Sequence, residues 1–317
     1  MISIVIMTYN RANFLKTCLE SLLKQDISKK EYELIVVDDN SSDETKKIVL
    51  SFQKKFSNFR YFKHRKNKGV SAARNTGIKY SKGEIVAFIA DDYVLPNNYL
   101  KTIKTFFEKN NSYDAVSFDI TAQKNSFLSE LNDLYYKTKL KGTLNILKFN
   151  FLTKHIKNYS KKEDELLPVS GAAAFKKEVF NKIGLFDELF HYSEDNDLAA
   201  RMKANNLKQY QSSLIVFRDN EHSIFKSIKN SFYSGKHFFY LKTKHGSNYK
   251  PFFKNNFFNC LKLFIFTPVL SIIRIFQLKS FFKKIFFFPF ILLFDYAFFI
   301  GFSKELFLIK FRKLFNY

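Results

Sequence analysis

The chain has 317 residues, 46% of them apolar, which suffices for a packed core in one large or two smaller domains and excludes wholesale disorder. Its 52 Lys and Arg against 29 Asp and Glu leave a formal charge of +23, which calls for something anionic: nucleic acid, phosphate esters or an acidic lipid surface. Cys18 and Cys260 are too few for a disulfide framework or a four-sulfur zinc site and suit a reducing compartment.

ISIVIM, from Ile2, reads at once as a buried strand, so no export leader is expected ahead of it. An amphipathic stretch from Ala12 to Lys24 follows, then YELIVVD, a stretch from Ser42 to Phe56, FRYFKH, a stretch from Val70 to Tyr80, EIVAFIA, a stretch from Asn97 to Lys109, and DAVSFD. Apolar strands separated by helices of roughly 10 to 15 residues are the pattern of crossover units on a parallel sheet covered on both faces. An open α/β sheet is therefore predicted, with its ligand beyond the carboxyl ends of the strands.

The residues at those ends are Thr8, Tyr9, Asn10 and Arg11 after the first strand, Asp38, Asp39 and Asn40 after the second, and Asp91 and Asp92 after the fourth. No G-x-G-x-x-G follows the first strand and no G-x-x-x-x-G-K-[ST] occurs, which argues against a dinucleotide dehydrogenase or a P-loop ATPase. A bound diphosphate then needs another source of positive charge, and a divalent cation on Asp91 and Asp92 would supply it, magnesium or manganese suiting hard oxygen ligands. Each cluster also has a plain structural use: Asp, Asn and Ser groups make turns and helix caps, and the acids Glu194, Asp195 and Asp197 suit a helix N-terminus through its dipole.

Charge and aromatics are unevenly spread. From Ser223 to Tyr317 the chain carries 16 of the basic residues, 2 of the acids and 24 of the 41 Phe. The reading is a domain over 1–222 and a helical, basic, Phe-rich region over 223–317. The apolar runs Leu263 to Ile273 and Ile285 to Phe294 each contain a proline and fall short of the roughly 20 residues of a clean membrane span. Helices lying in the headgroup region, their lysines facing anionic lipid, are expected, which makes the protein peripheral or monotopic.

Five blocks in order carry a more specific signal: TYNR; VVDDNSSDET; NKGVSAARNTGI with KGEIVAFIADD; SGAAAFKKEVFNKIGLFDE; and YSEDNDLAARM. Together, from Ile2 to Met202, they resemble the family 2 glycosyltransferases of the GT-A fold. The resemblance implies an open, mostly parallel sheet flanked by helices. It implies a nucleotide-sugar site in which Thr8, Tyr9, Asn10, Arg11 and Asp39 surround the nucleoside, Arg74 lies near the nucleotide or its diphosphate, Asp91 meets the ribose and Gly171 lets backbone approach the sugar. It makes Asp92 the ligand of Mg2+ or Mn2+, Asp195 the general base, Glu194 a group orienting the acceptor and Asp197 a helix cap. Ile89 and Ala90 stand where the family often has further acids. A carboxylate at Asp39 accepting an imide proton favours uridine or thymidine donors.

The activity so implied is inverting transfer of a sugar from a nucleoside diphosphate to a hydroxyl of a lipid-linked or polysaccharide acceptor, at the cytoplasmic face of the cell membrane. The stretch between Lys124 and Leu167 departs from the family pattern and is expected to contact the acceptor. His191 and His222 are lesser candidates for contact with acceptor or diphosphate. Two alternatives remain: a metal-dependent nucleotidyltransferase on a similar sheet, and a non-catalytic nucleic-acid-binding protein. Acids rather than cations gather at the strand ends, so no nucleic-acid partner is expected.

Overall fold

The computed structural model describes residues 1–123, 126–132, 134–135, 171–219, 223–245, 267–268, 271–272, 275–276 and 281–314. Cys260, Ser170, His222 and most of the stretch from Lys124 to Leu167 lie outside them. The chain divides into two compact units, Met1–Gln123 with Leu166–Asn220, and Lys124–Glu165 with Glu221–Tyr317.

The first unit is built on one eight-stranded sheet. In chain order its elements are β1 (Ile2–Thr8), α1 (Ala12–Leu22), β2 (Tyr32–Asp38), α2 (Thr45–Gln53), β3 (Phe59–Lys63), α3 (Val70–Tyr80), β4 (Ile85–Ala90), β5 (Tyr93–Val94), α4 (Tyr99–Lys109), β6 (Ala115–Ala122), β7 (Ala172–Lys176), α5 (Glu178–Ile183), α6 (Glu194–Ala204) and β8 (Gln209–Arg218). The strand order is β3-β2-β1-β4-β7-β6-β8-β5. β1 pairs in parallel with β2 and β4, β2 with β3, and β6 with β8, while β7 runs antiparallel to β4 and β6.

Alternation along β1 explains why its whole run is apolar. Ile4 and Ile6 face a cluster holding Leu15 and Leu19 of α1, Val49 of α2 and Tyr99 and Ile103 of α4. Val5 and Met7 face the other way, onto Ala73 and Ile78 of α3, Phe180 of α5 and Leu198 and Met202 of α6. Successive side chains of a strand point to opposite faces, so a strand covered on both sides must be apolar at every position. The chain leaves β1 toward β2 on one side and reaches β4 on the other. Such a switch in strand order opens a crevice at the strand ends, here between Thr8 and Ala90.

The second unit contains α7 (Ile224–Lys244), capped by the Ser223 hydroxyl accepting from the Lys226 N–H at 3.2 Å, and α8 (Phe281–Leu314). The helices cross at glycines: a Cβ at Gly235 would stand 1.8 Å from the Phe298 carbonyl oxygen, and one at Gly301 would stand 1.9 Å from that of Phe232. Only residues without side chains allow backbones so close. Phe287, Ile291 and Phe294 of α8 pack on Leu131, Tyr135 and Ile275. Of the two apolar runs, Ile285 to Phe294 lies within α8, which continues through Pro289 and Asp295, while most of Leu263 to Ile273 lies outside the described residues.

Candidate active site

β1 and β2 end side by side, and the Asp39 N–H donates to the Thr8 carbonyl at 2.9 Å. The loops beyond are tied to each other. The Asn10 N–H donates to the Ser41 hydroxyl at 2.9 Å, and the Ser42 N–H donates to Asn10 Oδ1 at 2.7 Å. Asn10 and Asn40 have φ of 52° and 73°, and Ser193, just before the acidic helix α6, has 62°. Among the described residues, three of the four non-glycine residues with positive φ thus lie on loops at the strand mouth and at α6. Asn tolerates that region, whereas for Ser193 it is a cost sustained by surrounding contacts. Thr8 is buried and Tyr9 is exposed.

Asp39 is buried and nearly saturated. Its Oδ1 accepts from the Lys68 N–H at 2.9 Å and meets His64 Nδ1 at 2.7 Å, and its Oδ2 accepts from the Gly69 N–H at 2.7 Å. Gly69, at φ 90°, turns the chain into α3. The Asp39 carboxylate therefore lies at the positive end of that helix, which favours its charge. A carboxylate has about four lone-pair sites, so Oδ2 keeps acceptor capacity for a ligand N–H. His64 also meets Thr76 Oγ1 at 2.9 Å. It was given no role from sequence, and the sign of it is its place at the end of β3, beside β2. His191 packs against Gly69, where a Cβ would come within 2.5 Å of its Nδ1.

Arg11, expected beside the nucleoside, spans Asp91 and Asp92, with its guanidinium nitrogens 2.8 Å from Asp91 Oδ1 and 2.8 Å from Asp92 Oδ2. Burial pushes the Asp91 carboxyl up to about 7, against the pull of Arg11 and with Asp92 adding to the rise. Among the described residues no three His, Cys, Asp or Glu side chains gather as a ready cation site. The carboxylates offered to a divalent cation at the β4 exit are therefore the adjacent pair Asp91 and Asp92. Magnesium is commonly held by one or two carboxylates with phosphate oxygens and water completing the shell, so the pair fits such an ion when a diphosphate is present.

α3 fastens the loop that leads to α6. The Ser71 hydroxyl donates to the Phe190 carbonyl at 2.6 Å, and the Asn75 side chain exchanges hydrogen bonds of 2.9 Å with the backbone of Phe186. Arg74 is buried, forms a close ion pair with Glu194 and lies over the Phe186 ring, 5.1 Å from its centroid. Glu194, expected to face an acceptor, is thus turned inward onto Arg74. Asp195, beside it, is half-buried. Burial, and then the Glu194 charge, push its carboxyl up to about 7 against the opposing pull of Arg74. Asp197 is not the helix cap read from sequence. It is fully buried in the first turn and grips Arg201, whose Nε lies 2.9 Å from Asp197 Oδ2 and whose Nη1 donates to the Ile183 carbonyl at 2.7 Å. A charge one turn along the helix that is itself pinned to α5 outcompetes capping.

Tyr93 joins the two acidic groups. Burial raises its phenol well above the usual range, Asp92 and Asp195 add to the rise, and Arg218 and Arg74 oppose it. One buried side chain thus feels the exit of β4 and the start of α6 together. Its hydroxyl stands 2.7 Å from where a Cβ on Gly171 would be, so any larger residue there would displace the tyrosine. Arg218 pairs with Tyr93 across β8 and β5, and the Asp219 N–H donates to the Asp92 carbonyl at 2.8 Å. Sequence reading missed Tyr93, whose one signal was its position directly after the acidic pair.

A mixed sheet carrying these carboxylates at its mouth and covered by helices on both faces has the architecture of the GT-A class of sugar-transferring enzymes. Residues 3–184 match the model of glycosyl transferase family 2, and the chain belongs to that family. It is 28% identical over 242 residues to the minor teichoic acid biosynthesis protein GgaB of Bacillus subtilis (strain 168), a match covering 71% of this chain and 27% of that protein. The first curated relatives are spanned over 19 to 62% of their lengths. The fold is similar to that of mannosyltransferase PcManGT from Pyrobaculum calidifontis in complex with GDP-Man and Mn2+, at a TM-score of 0.62 and 16% identity over 96% of this chain and 86% of that one. It is also similar to S. aureus TarS 1-349 in complex with UDP-GlcNAc, at a TM-score of 0.53 and 16% identity over 96% and 91%.

Proposed function

We propose that the protein is an inverting glycosyltransferase that moves a sugar from a UDP- or dTDP-sugar to a hydroxyl of a lipid-linked or polysaccharide acceptor at the cytoplasmic face of a membrane. The observation that supports this reading is that the buried Tyr93 feels the charges of both Asp92 and Asp195, which stand a hundred residues apart in the chain. Asp195 takes the proton of the acceptor hydroxyl as that oxygen attacks the anomeric carbon. The bond from that carbon to the diphosphate oxygen breaks, and the nucleoside diphosphate leaves with the electron pair. A carboxyl at about 7 suits this task, since a general base works best with a pKa near the operating pH. One base opposite one leaving group gives a single displacement, hence inversion.

Asp39 would accept the imide proton of uracil or thymine on its remaining acceptor site, with Thr8, Tyr9 and Asn10 lining the nucleoside and Asp91 meeting the ribose. Arg74 fixes Glu194 and, through it, the start of α6, so Glu194 acts as a positioning residue for Asp195. Asp92, with Asp91, would hold Mg2+ or Mn2+, which when bound neutralises charge developing on the diphosphate. The UDP-GlcNAc and Mn2+ named in the two structural relatives are in keeping with this assignment. The +23 charge and the teichoic-acid relative favour an acceptor rich in phosphate.

The test is a panel of nucleotide-sugars with Mn2+, read first by thermal stabilisation and then by product. Stabilisation by a UDP- or dTDP-sugar and release of the nucleoside diphosphate are expected. Release of pyrophosphate would assign a nucleotidyltransferase instead, and no stabilisation by any nucleotide-sugar would overturn the reading.

A further inference from the structure

Helix α8 is apolar all round but only half covered. Phe287, Ile291 and Phe294 are buried against their own unit, whereas Ile285, Phe286, Pro289, Leu293 and Ile300 are exposed, Phe286 by 64% and Ile300 by 53%. Positions 286, 289, 293 and 300 recur at intervals of three, four and seven residues, which places them on one face of the helix. Between Lys284 and Lys304 the only charged residue is Asp295. It is buried on the covered side, accepting from the Ser271 hydroxyl at 2.8 Å. From Ile285 to Ile300 the exposed face is therefore a charge-free apolar strip about 22 Å long, from the rise of about 1.5 Å per residue, with lysines beyond both ends.

From this we infer that the strip is a membrane-docking face, seated among the acyl chains of an anionic bilayer with α8 lying along the surface. The inference deepens the membrane placement proposed above by naming the surface that makes contact. Charge complementarity selects lipid as the occupant: the residues from Ser223 onward carry 16 cations and 2 acids, and the only two acids, Asp295 and Glu305, are both buried and paired internally. Lys284 and Lys304 flank the apolar strip, positions from which long cationic side chains reach headgroup phosphates, while the neighbouring Lys283 is paired with Glu130. Length alone would let the stretch Phe282–Glu305 cross a bilayer. Its neighbour decides the orientation. α7 packs tightly on α8 at the two glycines and carries the exposed Lys226, Lys229 and Lys244. A crossing α8 would draw those lysines toward hydrocarbon, where a charged side chain is costly, whereas a helix lying flat leaves them in water.

The chain has no tryptophan, so a single one reports its own surroundings. In the full-length protein, Phe286→Trp emission should shift to the blue on adding vesicles of phosphatidylcholine and phosphatidylglycerol and be quenched by brominated acyl chains. Phe287→Trp, on the covered face, should be little quenched. Phe286→Glu combined with Leu293→Glu should weaken vesicle binding at least tenfold with the thermal midpoint unchanged. Undiminished binding by that double variant would overturn the inference, since lysines alone would then account for it. Concentration-dependent sedimentation with blue-shifted Phe286→Trp emission in the absence of vesicles would also overturn it, assigning the strip to a second copy of the chain. None of these readouts involves sugar transfer, so their failure and that of the catalytic reading are separable.

Discussion

Arg74 and Glu194 stand 120 residues apart in the chain and meet as a buried ion pair at the foot of α6. The pair does two things. It anchors the start of the helix that carries Asp195, and within it Glu194 adds to the rise in the Asp195 pKa while Arg74 opposes it. Breaking a buried pair by removing one partner leaves an uncompensated charge, typically at about 3–5 kcal/mol. Arg74→Met should therefore lower stability by about that much in denaturant unfolding, and adding Glu194→Gln should restore part of it. A cost below about 1 kcal/mol for Arg74→Met would show that the pair is not holding α6.

The two raised carboxyls predict how stability and activity divide with pH. Asp91 and Asp195 stand at about 7, above an unfolded Asp near roughly 3.9. The folded state then keeps protons that the unfolded chain has lost, so the stability from these groups is full below about pH 4 and is lost as pH rises through about 7. Transfer should follow the opposite course, rising through about 7 as Asp195 becomes a base. Asp195→Asn removes that site's cost, so its melting temperature should exceed that of the unmodified protein at pH 8 and converge with it only near pH 4. Scanning calorimetry at both pH values checks this, and a constant difference would remove the raised carboxyl from the account.

The acidic pair and Arg11 yield a third prediction. With Arg11 spanning both carboxylates, Mn2+ should bind weakly without a nucleotide. Arg11→Met should tighten nucleotide-free Mn2+ binding, read from the free-ion electron paramagnetic resonance signal. Asp92→Ala should abolish the Mn2+-dependent part of donor stabilisation, which in the intact protein reaches about 2.7 kcal/mol at a ligand concentration of a hundred times Kd. Full donor stabilisation in chelator would count against any cation at this pair.

His64 gives a fourth. It holds Asp39 Oδ1 together with the Lys68 N–H, while the Gly69 N–H holds Oδ2. His64→Ala should loosen the carboxylate and reduce the preference for uridine over cytidine diphosphate several-fold, with little change in melting temperature. Competition binding with the two nucleotides measures it, and an unaltered ratio would sever His64 and Asp39 from base choice.

Much of the sheet was legible because parallel strands covered on both faces are written as apolar runs, as at Ile2–Thr8 and Ile85–Ala90. β5 was not legible, since two residues carry no period. β8 mixes Gln, Ser and Tyr with Leu, Ile and Val and is only partly buried, so no clean pattern marks it. The acids of the site could be picked out because they close strands or open a helix. Their partners could not: that Arg11 turns to Asp91 and Asp92, that Glu194 faces Arg74 and that Asp197 holds Arg201 depend on tertiary proximity, which spacing does not encode. The continuity of α8 was hidden by Pro289, whose missing N–H ordinarily marks a helix end.

The most direct measurement pairs transfer with donor binding in Asp195→Asn. With the donor and acceptor found by screening, turnover should fall at least a thousandfold while the Kd of the donor, by calorimetry, stays within a factor of about three. Retained turnover, or a donor Kd weakened in step with turnover, would contradict the placement of Asp195 as the group that takes the acceptor proton.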